Sequence, residues 1–544
     1  MFIFYYFLYS IVFIGYGLIF TKFFNLKIKN FGFLGFYGLS FLTFISYITA
    51  PFVIHNYVFN ISILFFGLLF FLLIFRENFD IKKNLIIHII IFSILILFII
   101  SAKTHDDFPY YHFPYSFLLT QIEHPFGLGS VNPGFRNASS LFFLNSLFYL
   151  PITKIYLMNI YSVFFLGFAN IILLSIIFDK SKYKNFQLIN FLSLISLSFI
   201  NTFFYRISEH GVDRSGMIII FLVFVLSTII LVSIKSKKDY KENLDLFYFI
   251  SVLLTLLASM KSIYLLYLPL GLIFIFFWKS NFFKILKNPL IIYCLIFLSI
   301  YLIYNFINSG CIVYPADFIC FYNFPWSLSR ELVLNDNEWF ELWSKAGASP
   351  NFVIEDKKLY ISNMNWFGNW IDNYFFNKVS DYLLGLLFLI TIFYVTCFRN
   401  LNLKIIKNEK FYNLHYLYFF IIIIFLEWFF KHPQLRYGGY HLIALLFFLP
   451  FSYYFNFVTL SYSSFFKKTK IILFLVLIIF SGRNIDRLIN ENQNYKFNPF
   501  ENLNFYHTDE IYRYMNYINE NIKKNNFSEV NYFGKEFLLT VPKE

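Results

Sequence analysis

Two adjacent carboxylates, Asp106 and Asp107, are the residues in this chain best suited to acid–base chemistry. They stand in THDDFPYYHFPY, after an apolar run from Leu85 to Ser101, in a chain that is 58% hydrophobic and only 14% charged. A carboxylate on the water side of a lipid boundary can accept the proton of an attacking hydroxyl group. The pattern therefore predicts a general base at Asp106 or Asp107. The alternatives are capping of a short helix that starts near Pro109, a mutual pKa shift, or a shared divalent metal.

Basic residues in other polar loops could hold a phosphate group. The segments YRISEHGVDR, ASMKSIYLLYLP and KHPQLRYGGYH each place such residues beside an apolar run. Cations there can bind a phosphate or diphosphate and stabilise its growing negative charge as it departs. The candidate phosphate-binding residues are Arg436, Lys431, Arg214, Lys261, His432 and His210. For Lys431 and Arg436, ordinary anchoring at the membrane surface is the alternative.

The elements that must position these side chains are membrane helices. Many windows of the 544-residue chain hold 17 or more apolar residues without a charge, which is enough to cross a hydrocarbon core of roughly 30 Å. Backbone groups in lipid must pair internally, so the runs are predicted to be helices. The net charge of +13 comes from Lys and Arg clusters between the runs, which indicates membrane topology rather than nucleic-acid binding. The predicted fold class is an all-α polytopic membrane bundle with periplasmic loop helices and a short polar tail.

About fourteen spans are predicted. They lie near 2–20, 31–50, 56–75, 85–101, 155–178, 187–204, 214–234, 245–259, 262–278, 290–307, 381–398, 412–430, 439–458 and 470–481. With this list, the loops rich in Lys and Arg all fall on one side, which the positive-inside rule makes cytoplasmic. We therefore expect a multi-pass protein of the bacterial inner membrane, with the amino terminus and the tail in the periplasm. The first run lacks a positive n-region and a cleavage site, so it is predicted to be an uncleaved span.

The spans suggest four regions. The predicted boundaries are 1–84 for accessory helices, 85–460 for a membrane core with outward loops 102–154 and 308–380, 461–481 for the last span, and 482–544 for a polar periplasmic tail. Within the first outward loop, the apolar patch from Ser139 to Pro151 is too short to span, so we expect it at the membrane interface or in a re-entrant position. In the tail, FSEVNYFGKE is compatible with a short strand.

The four cysteines divide into two pairs. Cys294 and Cys397 fall inside predicted spans, where they act as small core residues. Cys311 and Cys320 lie in the outward segment SGCIVYPADFICFYNF, and their short spacing in an oxidising compartment predicts a disulfide. The chain has no CxxC or HExxH motif, so a zinc site is not predicted.

The layout around HDDFPYYHFPY resembles the GT-C superfamily of membrane glycosyltransferases, which carry an acidic motif in the first large outward loop. The segments NSGCIVYP and HPQLRYGGYH are similar to parts of uncharacterised bacterial membrane proteins of this kind. The resemblance implies a polytopic enzyme that uses a polyprenyl-phosphate-linked sugar. Its expected reaction is inverting transfer to an envelope glycan or lipid acceptor at the periplasmic face. No organic cofactor is implied, and a divalent metal remains an alternative at the acid pair.

Two other functions share part of this pattern. An O-antigen-type polymerase or ligase would also use a polyprenyl-linked glycan, but its chemistry would depend on loop 308–380, which has few basic residues. A lipid-linked glycan flippase fits the number of spans. A transporter, however, carries charges deep in its helices around a midplane cavity, and here the charges lie near predicted helix ends.

Overall fold

The computed structural model describes most of the chain. The described residues are 1–75, 81–101, 104–153, 155–185, 187–209, 211–233, 240–278, 282–347, 354–398, 413–455, 460–496 and 508–524. Regular structure in these ranges is helical, apart from an isolated β-bridge between Cys311 and Cys320. The predicted all-α class is confirmed.

The described residues up to Ser233 form twelve α-helices. They are α1 (Phe2–Phe23), α2 (Phe31–Thr49), α3 (Tyr57–Phe75), α4 (Ile81–Ile94), α5 (Ile96–Ile99), α6 (Phe113–Leu118), α7 (Leu128–Val131), α8 (Ser140–Ser146), α9 (Tyr161–Ile177), α10 (Lys180–Asn185), α11 (Gln187–Phe203) and α12 (Gly211–Ser233). A π-helix, Phe108–His112, leads into α6, and a 3-10 turn, Pro133–Phe135, follows α7.

The described residues from Tyr240 onward form twelve more. They are α13 (Tyr240–Ala258), α14 (Leu270–Phe277), α15 (Phe282–Leu286), α16 (Pro289–Ser309), α17 (Arg330–Lys345), α18 (Lys357–Ile361), α19 (Phe367–Trp370), α20 (Ser380–Cys397), α21 (Leu414–Lys431), α22 (Gly439–Phe455), α23 (Tyr462–Tyr495) and α24 (Thr508–Lys524). A π-helix, Ile371–Val379, precedes α20, and 3-10 turns occupy Ser262–Tyr267, Asp317–Ile319 and Leu435–Tyr437.

Several of these helices are suited to a membrane. Seven described helices are long and apolar enough to cross one: Phe2–Phe23, Phe31–Thr49, Tyr57–Ile74, Gly211–Ser233, Pro289–Ser309, Phe367–Cys397 and Leu414–Lys431. Shorter apolar helices cover Lys83–Ile99, Tyr161–Ile177, Gln187–Phe203, Ser262–Phe277 and Gly439–Phe455. Each of the predicted spans overlaps a helix, although the number of about fourteen crossings stays a prediction.

Helix α12 forms the centre of the bundle, since its most apolar stretch is entirely buried within the protein. Among the elements packed on it are α9, α11, α13 and α22. At the amino-terminal end, α1 and α2 approach so closely that a Cβ atom at Gly17 would collide with the Leu34 carbonyl oxygen. A Cβ atom at Gly38 would likewise meet the Phe13 carbonyl, so glycine is required at both positions for this helix pair to pack.

The patch from Ser139 to Pro151 is packed inside the protein, and its interfacial or re-entrant position in a membrane stays a prediction. Residues 139–150 are all buried. Hydroxyl groups on α2 satisfy backbone carbonyls there: Ser46 Oγ donates to Phe143 O at 2.6 Å, and Tyr47 Oη donates to Ala138 O at 2.7 Å. The patch was long enough to form a short helix, and partners on α2 make its burial possible.

The described part of the predicted polar tail, 482–544, is largely helical. Helix α23 does not end near residue 481 but continues to Tyr495, and the amphipathic helix α24 follows at Thr508–Lys524. Helix α24 buries Ile511, Met515 and Ile518, and it contacts the π-helix Phe108–His112. The predicted strand FSEVNYFGKE lies outside the described residues.

The predicted disulfide between Cys311 and Cys320 is present in the structure. The thiols of Cys294 and Cys397 are free and buried, as expected for small core residues.

Candidate active site

Four polar segments meet at one end of the bundle. They are the stretch between α5 and the π-helix Phe108–His112, the start of α12, the turn from α13 to α14, and the turn from α21 to α22. In the predicted span list these segments are separated by even numbers of spans, which places all four on the same side. Together they contribute the five residues of a continuous chain of ion pairs.

The chain of ion pairs alternates in charge. Arg436 Nη2 donates to Asp107 Oδ2 at 2.6 Å, and Arg436 Nε lies 3.3 Å from Asp213 Oδ2. Lys261 Nζ donates to the other carboxylate oxygen of Asp213. At the opposite end, His105 Nδ1 lies 3.2 Å from Asp107 Oδ2. Arg436 is therefore held between two carboxylates that come from distant parts of the chain.

The protonation of Asp107 follows from these contacts. Burial opposes its ionisation, but the contact with His105 and the positive charge of Arg436 outweigh burial and hold the pKa of this carboxyl well below its usual range. Burial likewise opposes the charge of Arg436, yet Asp213 and Asp107 keep its pKa well above the usual value. The pair is ionised throughout the physiological pH range.

Asp106 has different surroundings from its neighbour. Its side chain is exposed and lines a cavity of about 920 Å³. No other side chain in the described ranges forms an ion pair or hydrogen bond with it. Asp107 is thus committed to Arg436, whereas Asp106 presents its carboxylate to the cavity.

The cavity joins a polar end to an apolar wall. Five residues of α20 line it: Asp381, Gly385, Phe388, Leu389 and Ile392. Their spacing of three or four residues puts them on one face of the helix. From the acidic residue to the last apolar one, the face runs for about 16 Å at about 1.5 Å per residue. The cavity therefore extends from the ion-pair end along a helix that is apolar enough to cross a membrane.

Five cations of the described residues line the cavity, and they come from distant parts of the sequence. They are Arg206, Arg214, Lys378, Arg436 and Arg483. The guanidinium of Arg214 lies 4.2 Å from the centroid of the Tyr440 ring and 4.6 Å from that of Phe204. This stacking orients Arg214 without neutralising its charge.

Other predicted site residues lie elsewhere. Lys431 Nζ donates to Glu341 Oε2 at 3.1 Å, and its side chain is exposed. His432 Nδ1 lies 3.5 Å from Glu427 Oε1. Neither Lys431 nor His432 lines the cavity. Both lie at the end of α21, where Lys431 pairs with a residue of α17 and His432 with a residue of α21. His210 lies outside the described residues.

Several polar residues of the site were not among the predicted ones, and Asp213, Arg206 and Arg483 are three of them. Asp213 completes the ion-pair chain, and Arg206 and Arg483 line the cavity. Asp213 and Arg206 stand in the same loop as Arg214, so the clustering of charge in YRISEHGVDR was an available signal. Among the described side chains, no group of three or more His, Cys, Asp or Glu is arranged to hold a metal ion.

Comparison with known proteins gives one match. A family model described as Domain of unknown function (DUF8201) matches residues 1–443 of the chain. No curated protein and no solved structure matches.

Proposed function

We propose that this chain, which belongs to the DUF8201 family, is a membrane glycosyltransferase that uses a polyprenyl-phosphate-linked sugar. The observation that carries the proposal is the cavity, where the open carboxylate of Asp106 shares one space with several cations and an apolar helix face. A carboxylate, bound cations and an apolar channel are the three requirements of sugar transfer from a lipid-linked phosphate. In this proposal, transfer takes place at the periplasmic face of the bacterial inner membrane.

Asp106 is proposed as the general base. It accepts the proton of an acceptor hydroxyl while the hydroxyl oxygen attacks the anomeric carbon of the sugar. The bond from that carbon to the carrier phosphate breaks, and the phosphate oxygen departs with the bonding electrons. Attack from the face opposite the leaving phosphate inverts the anomeric centre. The products are the glycosylated acceptor and the free polyprenyl phosphate.

Asp107 and Arg436 have a supporting role in this scheme. A carboxylate already bound to a guanidinium is a poor base, because accepting a proton would break a charge-assisted hydrogen bond. Asp107 instead fixes Arg436 in the cavity wall, where the guanidinium and that of Arg214 face the departing phosphate. These cations stabilise the negative charge that develops on the leaving oxygen.

The apolar face of α20 supports a lipid-linked donor over a soluble sugar nucleotide. Phe388, Leu389 and Ile392 continue the cavity away from the polar end, which is a suitable surface for an isoprenoid chain. A soluble donor would leave this wall in contact with water. The acceptor, a glycan or lipid hydroxyl of the envelope, would enter on the side of Asp106.

The test compares acidic variants in cells. Deletion of the gene is expected to remove or shorten an envelope glycan detectable by mass spectrometry, and the wild-type gene should restore it. Asp106→Asn should fail to restore it, because loss of a general base costs about 10²- to 10⁴-fold in rate. Asp381→Asn is the matched control, since it removes a carboxylate from the same cavity without removing the base. Normal glycan in the deletion strain or in the Asp106→Asn strain would contradict the proposal.

A further inference from the structure

The cations of the cavity are not equivalent, because some are already neutralised. Arg206 forms an ion pair with Glu209, and Arg436 forms ion pairs with Asp107 and Asp213. A paired cation attracts a bound anion less strongly than an unpaired cation does. The cations that remain available decide how strongly the cavity attracts a phosphate.

Lys378 and two arginines that line the cavity have no carboxylate partner among the described residues, and the two arginines are held in place by neighbouring groups. One is Arg214, which stacks on Tyr440 and Phe204. The other is Arg483 of α23, whose guanidinium lies 3.9 Å from the centroid of the Tyr205 ring. Arg483 Nη1 donates to the Thr202 carbonyl oxygen at 2.9 Å. An aromatic ring and a neutral carbonyl orient Arg483 while leaving its full positive charge for a ligand.

Arg483 is also anchored next to the acidic loop, which is the stretch between α5 and the π-helix Phe108–His112 that holds Asp106 and Asp107. One turn further along α23, Arg487 Nη2 donates to Leu97 O at 2.8 Å and to Ile100 O at 2.9 Å. These carbonyls belong to the end of α5, which leads to Asp106. Arg487 is buried and also pairs with Glu491 at 2.9 Å, so this part of α23 is held against the acidic loop. Arg483 and Asp106 line the same cavity.

Arg483 shares its helix face with an apolar cavity residue. Ile479 precedes it by four positions and also lines the cavity. A cation that follows an apolar residue on one helix face matches a ligand with a charged head and an apolar chain. The apolar residues of α20 line the same cavity.

We infer that Arg483 binds the phosphate of the lipid carrier, so that the segment beyond the family match at residue 443 completes the site. The inference rests on the proposed glycosyltransferase function. A sugar-linked phosphate is a diester with one negative charge, whereas the released monoester carries about −1.5 to −2 at neutral pH. Two guanidinium groups without carboxylate partners, Arg214 and Arg483, match that increase. Arg483 would thus bind the released polyprenyl phosphate more tightly than the sugar-linked donor.

The test measures lipid binding to the purified full-length protein in nanodiscs of a zwitterionic phospholipid. The probes are a long-chain polyprenyl phosphate and the uncharged polyprenol of the same length. Arg483→Gln should weaken binding of the phosphate about ten- to hundredfold, the effect of one charged hydrogen bond, and leave polyprenol binding unchanged. Arg483→Lys keeps the charge but loses the stacking on Tyr205, so its phosphate binding should fall between that of the wild type and that of Arg483→Gln. Arg513→Gln on α24 is the matched control, because it removes an exposed arginine outside the cavity.

Each outcome has a distinct meaning. Unchanged phosphate binding in Arg483→Gln, with wild-type binding intact, would overturn the inference and leave the proposed function standing. Equal losses in Arg483→Gln and Arg483→Lys would also overturn it, because charge would then not be the cause. Wild-type protein that does not prefer the phosphate over polyprenol would refute the proposed function itself. Thermal unfolding of each variant without ligand identifies any loss of fold, and the Arg483→Lys variant then carries the comparison.

Discussion

Asp107 and Arg436 are joined by a hydrogen bond of 2.6 Å although 329 positions separate them in the sequence. Asp107 follows the helix pair α4 and α5, and Arg436 precedes α22. The bond therefore closes the site across most of the bundle. Because Arg436 also contacts Asp213, loss of either partner leaves a charge without its full complement.

The first prediction concerns this ion pair. Arg436→Gln should lower the thermal midpoint of the purified protein, because it leaves Asp107 and Asp213 close together without their shared cation. Removal of one partner of a fully buried pair costs about 3–5 kcal/mol, and partial exposure here reduces the expected loss to about 1–3 kcal/mol. The double variant Asp107→Asn with Arg436→Gln should recover part of it. A double variant whose loss equals the sum of the single losses would show that the two residues do not interact.

A more exposed ion pair provides the control. Lys182 Nζ lies 3.9 Å from Asp179 Oδ2, and both side chains are partly exposed. The two residues are three positions apart in the sequence. Asp179→Asn should change the thermal midpoint little, since exposed pairs contribute about 0–1 kcal/mol. A large effect there would mean that general loss of charge, rather than the Asp107–Arg436 bond, governs stability.

That these distant segments lie on the same side could be predicted from the sequence only by counting the predicted spans between them. An even number of predicted spans separates the acidic loop from the segments that hold Arg214, Lys261 and Arg436, so all had to reach the same membrane side. The sequence could not show that Asp106 and Asp107 have different surroundings. That difference depends on which carboxylate the Arg436 side chain reaches, and neighbouring residues in a loop give no periodic signal for it.

The contribution of α23 was missed for a different reason. Hydropathy places the end of the last span near residue 481, because Arg483 and Arg487 interrupt the apolar run. In the structure both arginines continue the helix, since Thr202 O receives a hydrogen bond from one of them, and Leu97 O and Ile100 O receive bonds from the other. A hydropathy pattern cannot distinguish charges that end a helix from charges that bind to a neighbouring one.

The second prediction concerns the disulfide between Cys311 and Cys320. Thiol alkylation of the denatured protein without a reductant should label neither cysteine, and both should be labelled after reduction; denaturation is needed because Cys311 is fully buried. Replacement of both by serine should lower the free energy of unfolding by about 2–3 kcal/mol, since the closed loop is short. The buried thiols of Cys294 and Cys397 provide the control, because they should require denaturation for labelling. Labelling of Cys311 without reductant would contradict a stable bridge.

The third prediction concerns pH. Burial lowers the pKa of His112 to about 3, which keeps its imidazole uncharged at neutral pH. The unfolded chain binds this proton below about pH 6.5, whereas the folded protein does not until about pH 3, so stability falls as pH drops through that window. His55 and His124 have the same shift and act in the same direction. Thermal midpoints at about pH 7 and about pH 5 should therefore differ less in His112→Gln than in the wild type. An equal difference in both proteins would exclude His112 as a cause.

The fourth prediction concerns the docking of α24 beside the acidic loop. Ile518 is fully buried in this interface, and nearby Asn521 Nδ2 donates to Val131 O at 3.1 Å. Tyr514 and Tyr110 pack with ring centroids 5.0 Å apart, so α24 supports the π-helix that begins directly after Asp107.

Ile518→Asp should release α24, because an unpaired carboxylate cannot be buried there at low cost. Limited proteolysis should then cut the released helix faster, and glycan restoration in cells should decrease because the acidic loop loses its support. Tyr517→Asp introduces the same charge at an exposed neighbouring position and should leave both measurements unchanged. Equal cleavage rates in the Ile518→Asp variant and the wild type would show that α24 is not held by this apolar face.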